Sequence, residues 1–257
     1  MEIGDFLAAN KTASVSFGRR QVSPARKKDL VQEHFNTVAP RYDLTNTMLS
    51  FGQQLLWKRQ AVKMLQPQPG ERVLDVCGGT ADLSLLAAKA VLPSGLVVVY
   101  DFNRAMLEIG TRKIHRAGLS NQVWCLQGDA ENLALPDHSF DAVMVGFGIR
   151  NLTSMEHGLL EMYRVLKPGG RLLILEFSQP TNAWFRALYD FYSFTVMPLA
   201  SKIMMGSWQA YQYLSESIRL FPNPDALSKI LARLGFIDIT YRSLSHGIAV
   251  IHLGHKD

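Results

Sequence analysis

The sequence predicts an α/β fold in which a mostly parallel sheet carries helices on both faces. Strand-length apolar runs alternate with amphipathic helical patterns between residues 70 and 178, and right-handed crossovers between parallel strands place helices on both sides of a sheet. Two glycines, Gly78 and Gly79, follow the first run, and Asp101 ends the second. These features favour a doubly wound sheet that binds a ligand at the carboxyl ends of its strands.

The alternating elements follow one another in a regular order. The predicted strands are 73–76, 96–100, 123–127, 141–146 and 171–177, and the predicted helices are 83–91, 104–116 and 155–166. A further helix over 226–234 and two β-rich runs, 236–242 and 247–253, close the chain. The short link between these two runs predicts an antiparallel hairpin at one end of the sheet.

The glycine pair lies where the first predicted strand turns into the first predicted helix. Free backbone N–H groups and the positive helix end face the carboxyl edge of the strand at such a turn, so an anionic group of a ligand is held there. A glycine pair is also common in turns that only connect two elements. The next two strand ends therefore decide the interpretation.

Acidic residues stand at those two strand ends. Asp101 lies about 20 residues past the turn, where a doubly wound fold places the residue that binds the ribose. The third strand leads to Gly128, Asp129 and Ala130, a position from which side chains and backbone contact the adenine. The third glycine of the dinucleotide fingerprint is missing. We predict an adenosine with a short charged tail above Gly78, which is the shape of S-adenosyl-L-methionine.

Several segments resemble the ubiquinone/menaquinone-biosynthesis C-methyltransferases, from Gln32 nearly to the end of the chain. The LKPGG turn at 166–170 is shared by many class I methyltransferases, whereas 147–151 and 213–219 are typical of this family. Family members usually have glycine where Ala81 stands. The matching segments are VAPRYD (38–43), LSFG (49–52), WKR (57–59), GGT (78–80), FGIRN (147–151), MYRVLKPGG (162–170), LEFS (175–178) and YLSESIR (213–219).

The resemblance implies a Rossmann-like class I methyltransferase with a seven-stranded, mostly parallel sheet that ends in an antiparallel hairpin. It implies S-adenosyl-L-methionine as methyl donor, no metal, and a polyprenylated dihydroquinone as acceptor: demethylmenaquinol, 2-methoxy-6-polyprenyl-1,4-benzoquinol, or both. The donor would contact Tyr42 and Thr80 as well as the strand ends. The predicted donor-binding residues are Tyr42, Gly78, Thr80, Asp101, Asp129, Ala130 and Gly146.

The loop from Gly146 to Asn151 is the predicted catalytic segment. An aromatic carbon accepts a methyl group when a neighbouring hydroxyl has lost its proton, and a guanidinium cannot readily take that proton but can stabilise the resulting anion. We assign this electrostatic role to Arg150, with Asn151 orienting the hydroxyl or a water molecule. A structural arginine that ties the loop down is the alternative. Phe147, Tyr189 and Tyr192 are the predicted substrate-binding residues.

The chain divides into a basic N-terminal segment, 1–29, and one methyltransferase domain, 30–257. Within the domain we predict a helical flap at 30–66, the core at 70–178, a substrate-covering helical insertion at 179–221, and a C-terminal helix and hairpin at 222–257. The apolar stripe of the insertion, Phe185, Leu188, Tyr189, Tyr192 and Val196, is either plain core or the wall of an isoprenoid pocket. Tyr42 in the flap either contacts the donor or caps the core.

Composition narrows the function classes. The net charge is +5, and part of the excess lies in 1–29, which we expect to be mobile, either as a solvated tail or as a weak anchor to anionic lipid. No run of about 18 apolar residues predicts a membrane span. The two cysteines fit a cytoplasmic location. Peripheral contact with the inner face of the membrane is compatible with that location. The sequence leaves open whether the chain forms a homodimer.

Two other functions compete with methyl transfer to a quinol. A non-catalytic quinone-binding or nucleoside-binding protein of the same fold would have no reason to keep Asp101, Asp129, Arg150 and Asn151 together. Methylation of RNA rests only on the basic pI of about 9.2, because no tetrapeptide of the Asn-Pro-Pro-Tyr type and no basic stripe interleaved with aromatics is present. We therefore predict no nucleic-acid partner.

Overall fold

The computed structural model describes residues 14–180, 182–197, 199 and 209–257. Its strands are β1 (Val15–Phe17), β2 (Arg20–Val22), β3 (Arg72–Val76), β4 (Leu96–Asp101), β5 (Val123–Gln127), β6 (Phe140–Gly146), β7 (Leu166–Phe177), β8 (Phe236–Leu244) and β9 (Ala249–Lys256). Its helices are α1 (Pro24–Val38), α2 (Tyr42–Leu49), α3 (Gln53–Leu65), α4 (Asp82–Val91), α5 (Arg104–Arg116), α6 (Met155–Val165), α7 (Ala183–Phe191), α8 (Gln209–Leu220) and α9 (Pro224–Arg233).

Seven strands form one sheet in the order β5-β4-β3-β6-β7-β9-β8. The first five of these are parallel to one another, whereas β9 pairs antiparallel with both β7 and β8. The predicted fold class, with its C-terminal antiparallel hairpin, is confirmed. The strand order reverses next to β3, and the crevice at such a reversal is where doubly wound sheets bind their ligands.

The central strands are buried on both faces. Val97, Val98 and Val99 of β4 are all within the core although their side chains alternate between the two faces. Continuous apolar runs are typical of parallel strands covered by helices on each side. Two hydrophobic clusters, one on each face of the sheet, hold the ends of β3 and β6 in place.

The N-terminal segment differs from its prediction. β1 and β2 form an antiparallel hairpin, and α1 begins at Pro24, where the side chain of Ser23 accepts a hydrogen bond from the Arg26 N–H. The prediction that 1–29 is mobile is wrong for residues 14–29. A serine followed by proline is a strong helix start, but the basic residues around it obscured this signal. Residues 1–13 lie outside the described part of the chain.

Two basic residues of this segment are engaged within the molecule. Lys27 is buried and its Nζ donates to the carbonyl of Leu152 at 2.6 Å, and Lys28 pairs with Asp129. These contacts leave fewer free cations for the lipid anchor that the sequence suggested.

Helix α3 packs on one face of the sheet through Trp57, Ala61 and Leu65, and α2 contacts α3. α7 continues into a π-helical turn, Tyr192–Val196, and the hydroxyl of Tyr192 donates to the carbonyl of Leu49 at the end of α2. Within the insertion predicted at 179–221, residues 181, 198 and 200–208 lie outside the described residues. In the part of the chain that the structure covers, no helix has the length and apolar character needed to cross a bilayer.

Candidate active site

A cavity of about 150 Å³ opens at the carboxyl ends of β3, β4, β5 and β6. We call it the strand-end cavity. All of the predicted donor-binding residues line it: Tyr42, Gly78, Thr80, Asp101, Asp129, Ala130 and Gly146. They come together because parallel strands end at the same edge of a sheet, which is the relation that the sequence analysis used.

The turn after β3 allows no side chain at Gly78. A Cβ atom placed there would lie 2.7 Å from Cγ1 of Val99 and 3.0 Å from the carbonyl of Asp75. Gly79 has a φ of +52°, in the left-handed region that glycine adopts without steric cost. The backbone can therefore approach a ligand closely at this turn, as a cradle for a charged group requires.

Ala81 stands where members of the resembled family usually have glycine, and its backbone keeps a conformation that glycine favours. Its φ of 65° and ψ of 22° are left-handed, and this conformation costs a residue with a Cβ about 1–2 kcal/mol. The methyl group is fully buried and faces the backbone of α5, where a Cβ on Gly110 would lie 3.2 Å from it. The turn keeps its geometry because its surroundings leave room for one methyl group.

Asp101 is positioned by the turn that it faces. Its two carboxylate oxygens accept from the N–H groups of Gly79 at 2.9 Å and Asn103 at 2.8 Å. A carboxylate has about four acceptor positions, so both oxygens can still accept from ligand hydroxyls. Burial raises the pKa of Asp101 to about 6.

Two further carboxylates line the strand-end cavity in different electrostatic environments. Oδ2 of Asp75 accepts from Ser84 at 2.5 Å, whereas Oδ1 has no hydrogen-bond partner among the described residues. Burial raises the pKa of Asp75 to about 7. Burial would also raise the pKa of Asp82, but Lys58 and Lys113 more than offset it, so the pKa of Asp82 is lowered.

Lysine 28 reaches across the strand-end cavity from α1. Its Nζ lies 2.6 Å from Oδ2 of Asp129, while Oδ1 of Asp129 accepts from the N–H of Glu131 at 2.9 Å. Both side chains of the ion pair are partly exposed, so the pair is weak. A ligand group that donates to Asp129 would have to compete with Lys28.

A second cavity, of about 420 Å³, lies between α1, α2 and the region of α7. We call it the aromatic cavity. It contains the other predicted residues, Arg150, Tyr189 and Tyr192. Phe35, Tyr42, Phe147 and Asn151 line both cavities. The two cavities therefore meet at these four side chains.

Arg150 lies beside this junction, in the wall of the aromatic cavity, and its side chain is 8% exposed. Its Nη1 is 2.8 Å from Oε1 of Glu176 and also donates to the carbonyl of Phe147. Its guanidinium carbon is 5.4 Å from the ring centroid of Phe177. Burial raises the pKa of Glu176, although the Arg150 charge opposes this effect. The guanidinium is held rigidly, and its Nε has no hydrogen-bond partner among the described residues.

Asn151 is oriented by a tyrosine from the insertion. Its side-chain oxygen accepts from the hydroxyl of Tyr213 at 3.0 Å. His34 lies beside the same ring, with centroids 5.4 Å apart, and it also lines the aromatic cavity. Burial and the nearby Arg150 charge lower the pKa of His34 to about 4, so its imidazole is neutral around pH 7.

Sequence reasoning missed Glu176, Lys28 and His34. Glu176 follows the apolar run of β7, so the strand-end rule that found Asp101 could have found it. Lys28 and His34 belong to α1, which reaches the site only through the tertiary fold. No sequence pattern marks either of them as a site residue.

A scan against family models matches residues 20–256 to the ubiE/COQ5 methyltransferase family. The chain belongs to this family. It is therefore a methyltransferase, which disfavours the alternative of a non-catalytic binding protein. In the described residues no cluster of histidine, cysteine and carboxylate side chains could hold a metal ion.

Two relatives and one solved structure show how far the similarity extends. The chain is 45% identical over 240 residues to the ubiquinone/menaquinone biosynthesis C-methyltransferase of Pseudomonas fluorescens, covering 93% of this chain and 94% of the relative. It is 43% identical over 249 residues to the corresponding protein of Ectopseudomonas mendocina, covering 97% of both. A SAM-dependent methyltransferase from Thermotoga maritima has a TM-score of 0.60 at 20% identity, covering 87% of this chain and all of that one.

Proposed function

We propose that this chain transfers a methyl group from S-adenosyl-L-methionine to a ring carbon of a polyprenylated dihydroquinone in respiratory quinone biosynthesis. The observation that carries the proposal is the meeting of two chemically different cavities at Phe147 and Asn151, beside Arg150. One cavity offers carboxylates and a glycine turn, and the other offers aromatic and aliphatic side chains. The names of the curated relatives support quinone biosynthesis.

The strand-end cavity fits the methyl donor. Asp101 would accept from the ribose hydroxyls, Asp129 and Ala130 would contact the adenine, and the turn from Gly78 to Thr80 would hold the amino-acid tail. The buried Oδ1 of Asp75, which lacks a partner among the described residues, is a further acceptor for a charged nitrogen. When bound, the donor supplies an electrophilic methyl group on a sulfonium.

The aromatic cavity fits the acceptor. Its 420 Å³ lies within the range of small-molecule sites, which are mostly apolar with a few placed polar groups. The quinol ring would lie at the junction near Phe147 and Asn151, and the prenyl tail would extend along Leu188, Tyr189 and Tyr192. The hydroxyls of the ring would then face Arg150.

The chemistry assigned to Arg150 is electrostatic. One quinol hydroxyl would lose its proton to a water molecule, and the ring carbon would bond to the methyl group while the electron pair of the carbon–sulfur bond leaves on sulfur. The ring C–H proton would then pass to water, which restores aromaticity. A fixed guanidinium would stabilise the oxygen anion in a mostly apolar site, where such an interaction is stronger than in bulk water. Glu176 and the carbonyl of Phe147 hold the guanidinium in position before the substrate arrives, so it need not reorganise during the reaction.

Labelled methyl donor tests this function directly. The purified protein is incubated with labelled S-adenosyl-L-methionine and, separately, with a naphthoquinol and a benzoquinol that carry short, water-soluble tails. Label on a ring carbon of either acceptor is the expected result, and comparison of the two rates identifies the preferred ring. Donor binding without label on either ring contradicts the proposal.

The location and assembly are also proposals. We place the chain in the cytoplasm, in peripheral contact with the inner face of the membrane where a polyprenylated acceptor resides. A homodimer is a hypothesis to be checked by light scattering of the purified protein across a range of concentrations.

A further inference from the structure

Two rows of exposed apolar side chains border the aromatic cavity. The first row lies on α2, α3 and the loop between them, and the second lies on α7 and the residues that follow it. The first row is Leu44, Met48, Phe51, Leu55 and Leu56, and the second is Trp184, Leu188, Phe191, Val196 and Leu199. We call these ten residues the apolar rim.

The rim adjoins the aromatic cavity. Phe51 and Leu188 belong to the rim and also line the cavity. Phe51 is 81% exposed, and its ring centroid lies 5.9 Å from that of Tyr192, which joins the two rows. A tail bound in the cavity would therefore leave or enter between the rows.

α7 is apolar on more than the face that lines the cavity. Phe185, Tyr189 and Tyr192 line the cavity, while Trp184, 88% exposed, and Phe191 lie outside it in the rim. A helix of a soluble domain ordinarily turns polar residues outward, and α7 also carries Arg186 and Asp190. The exposed Trp184 and Phe191 nevertheless lie outside the cavity and have no covering partner within the described chain.

Charge distinguishes among the surfaces that could cover the rim. α3 contains no acidic residue, and its row continues from Leu55 to the exposed Arg59 and Lys63 at helical spacing. Within the described residues neither cation forms an ion pair. Apolar side chains bordered by free cations match an anionic lipid surface, where acyl chains lie beside negative headgroups.

We propose that the apolar rim rests on an anionic lipid bilayer, so that the prenyl tail passes from the membrane into the aromatic cavity without crossing water. The inference rests on the proposed function for the identity of the tail. The surface itself is argued from exposure and charge alone. It differs from the lipid anchor suggested for the basic N-terminal segment, two of whose cations, Lys27 and Lys28, are engaged inside the molecule.

The first test measures binding of the full chain to vesicles. Sedimentation with vesicles of equimolar phosphatidylcholine and phosphatidylglycerol is compared for the wild type and the double variant Trp184→Ser/Phe191→Ser, whose side chains lie outside the cavity. We expect the partition coefficient to fall about tenfold or more, given the apolar area removed. The matched control is Trp124→Ser/Leu126→Ser, which changes exposed apolar residues of the edge strand β5 and should bind like the wild type.

The second test separates charge from apolar contact. Arg59→Glu/Lys63→Glu should weaken binding to the anionic vesicles about tenfold or more and leave binding to phosphatidylcholine alone unchanged. Arg112→Glu/Arg116→Glu has the same spacing on α5 and is the control, which should lose less. Equal losses in the two charge variants would mean general electrostatics and would overturn the assignment to this surface.

Activity distinguishes this inference from the proposed function. The variant Trp184→Ser/Phe191→Ser should methylate a short-tailed, water-soluble quinol at the wild-type rate, and lose at least several-fold in rate on a polyprenyl quinol embedded in vesicles. Failure of the wild type on the short-tailed quinol would count against the function and not against the surface. The proposed lipid-binding surface would be contradicted if the rim variants bound vesicles like the wild type, or if they lost a dimer and kept vesicle binding.

Discussion

At the scale of single residues, the site depends on side chains whose positions are fixed by their neighbours. Arg150 is held by Glu176 at 2.8 Å, Asp101 by two backbone N–H groups, and Asn151 by Tyr213. Each of these partners comes from a different element. The positions of the reacting groups are therefore set before a substrate binds, which is the condition for electrostatic catalysis.

Arg150→Ala should reduce kcat about 10²–10³-fold, the range for removal of one oxyanion-stabilising group. Donor affinity should stay nearly unchanged, because Arg150 lines only the aromatic cavity. Steady-state kinetics and calorimetric titration with the donor measure the two effects. Asp101→Ala should show the opposite pattern, with donor affinity lost first.

A control separates catalysis from folding at this position. Arg150→Ala alone leaves Glu176 buried without its partner, and broken buried pairs cost about 3–5 kcal/mol. The double variant Arg150→Ala/Glu176→Gln removes the unpaired charge and should be the more stable of the two, yet equally slow. Recovery of turnover in the double variant would show that Arg150 is structural.

Ala81→Val should destabilise the protein by about 3 kcal/mol or more, because a branched side chain at positive φ adds backbone strain to a steric clash with α5. Ala81→Gly relieves the strain but loses a buried methyl group, so its effect should stay within about 1 kcal/mol. Urea unfolding of both variants measures the difference. Similar stabilities would mean that the turn adapts.

At the scale of elements, one polar cluster fastens the N-terminal helices to the core. Lys113 of α5 pairs with Asp43 of α2 at 2.8 Å and with Asp82 of α4. Lys58 of α3 lies 2.8 Å from Asp82, and Thr80 donates to Asp43 at 2.7 Å. Thr80, Asp82 and Lys58 also line the strand-end cavity, so the cluster links the position of the helices to that cavity.

Lys113→Met should lower the free energy of unfolding by about 1–3 kcal/mol, because two partly buried carboxylates lose their shared cation. It should also weaken donor binding, since Thr80 and Asp82 would lose their positions. Urea unfolding and donor titration measure both effects. Arg104→Met breaks an exposed pair with Glu108 and serves as control, with an expected change within about 0.5 kcal/mol.

At the scale of the whole molecule, stability should depend on pH through Asp75. Its pKa rises from the ordinary 3.8 to about 7 on burial, so between these values the folded state binds a proton that the unfolded state does not. The Asp75 contribution is therefore fully present below pH 3.8 and decreases as the pH rises through about 7.

Asp75→Asn should remove this part of the pH dependence. Between about pH 4 and 7 the free energy of unfolding of the wild type, measured relative to the variant, should decrease as the pH rises. Urea titrations of both proteins at several pH values give the comparison. A constant difference across this range would show that Asp75 stays charged in the folded protein.

The sequence by itself determined the sheet and the strand-end residues that line the strand-end cavity, but not the lysines that reach it from α1 and α3. Apolar periodicity marks strands and helices locally, and parallel strands bring their carboxyl ends to one edge, so residues far apart in the chain could be assigned to one cavity. Glycines 78 and 79 and the acidic residue at 101 were enough for this step. The resemblance to a methyltransferase family added the roles of the loop at 146–151.

Only the tertiary structure decided which side chains hold the reactive ones and where the cavity opens. The partnership of Arg150 with Glu176, of Asp129 with Lys28 and of Asn151 with Tyr213 joins residues between 26 and 101 positions apart. Periodicity reports which face of an element is buried, but it carries no information on which distant element covers that face. The apolar rim shows the same limit, since a stripe that the sequence left open between core and pocket wall is divided by the fold between a cavity wall and an exposed surface.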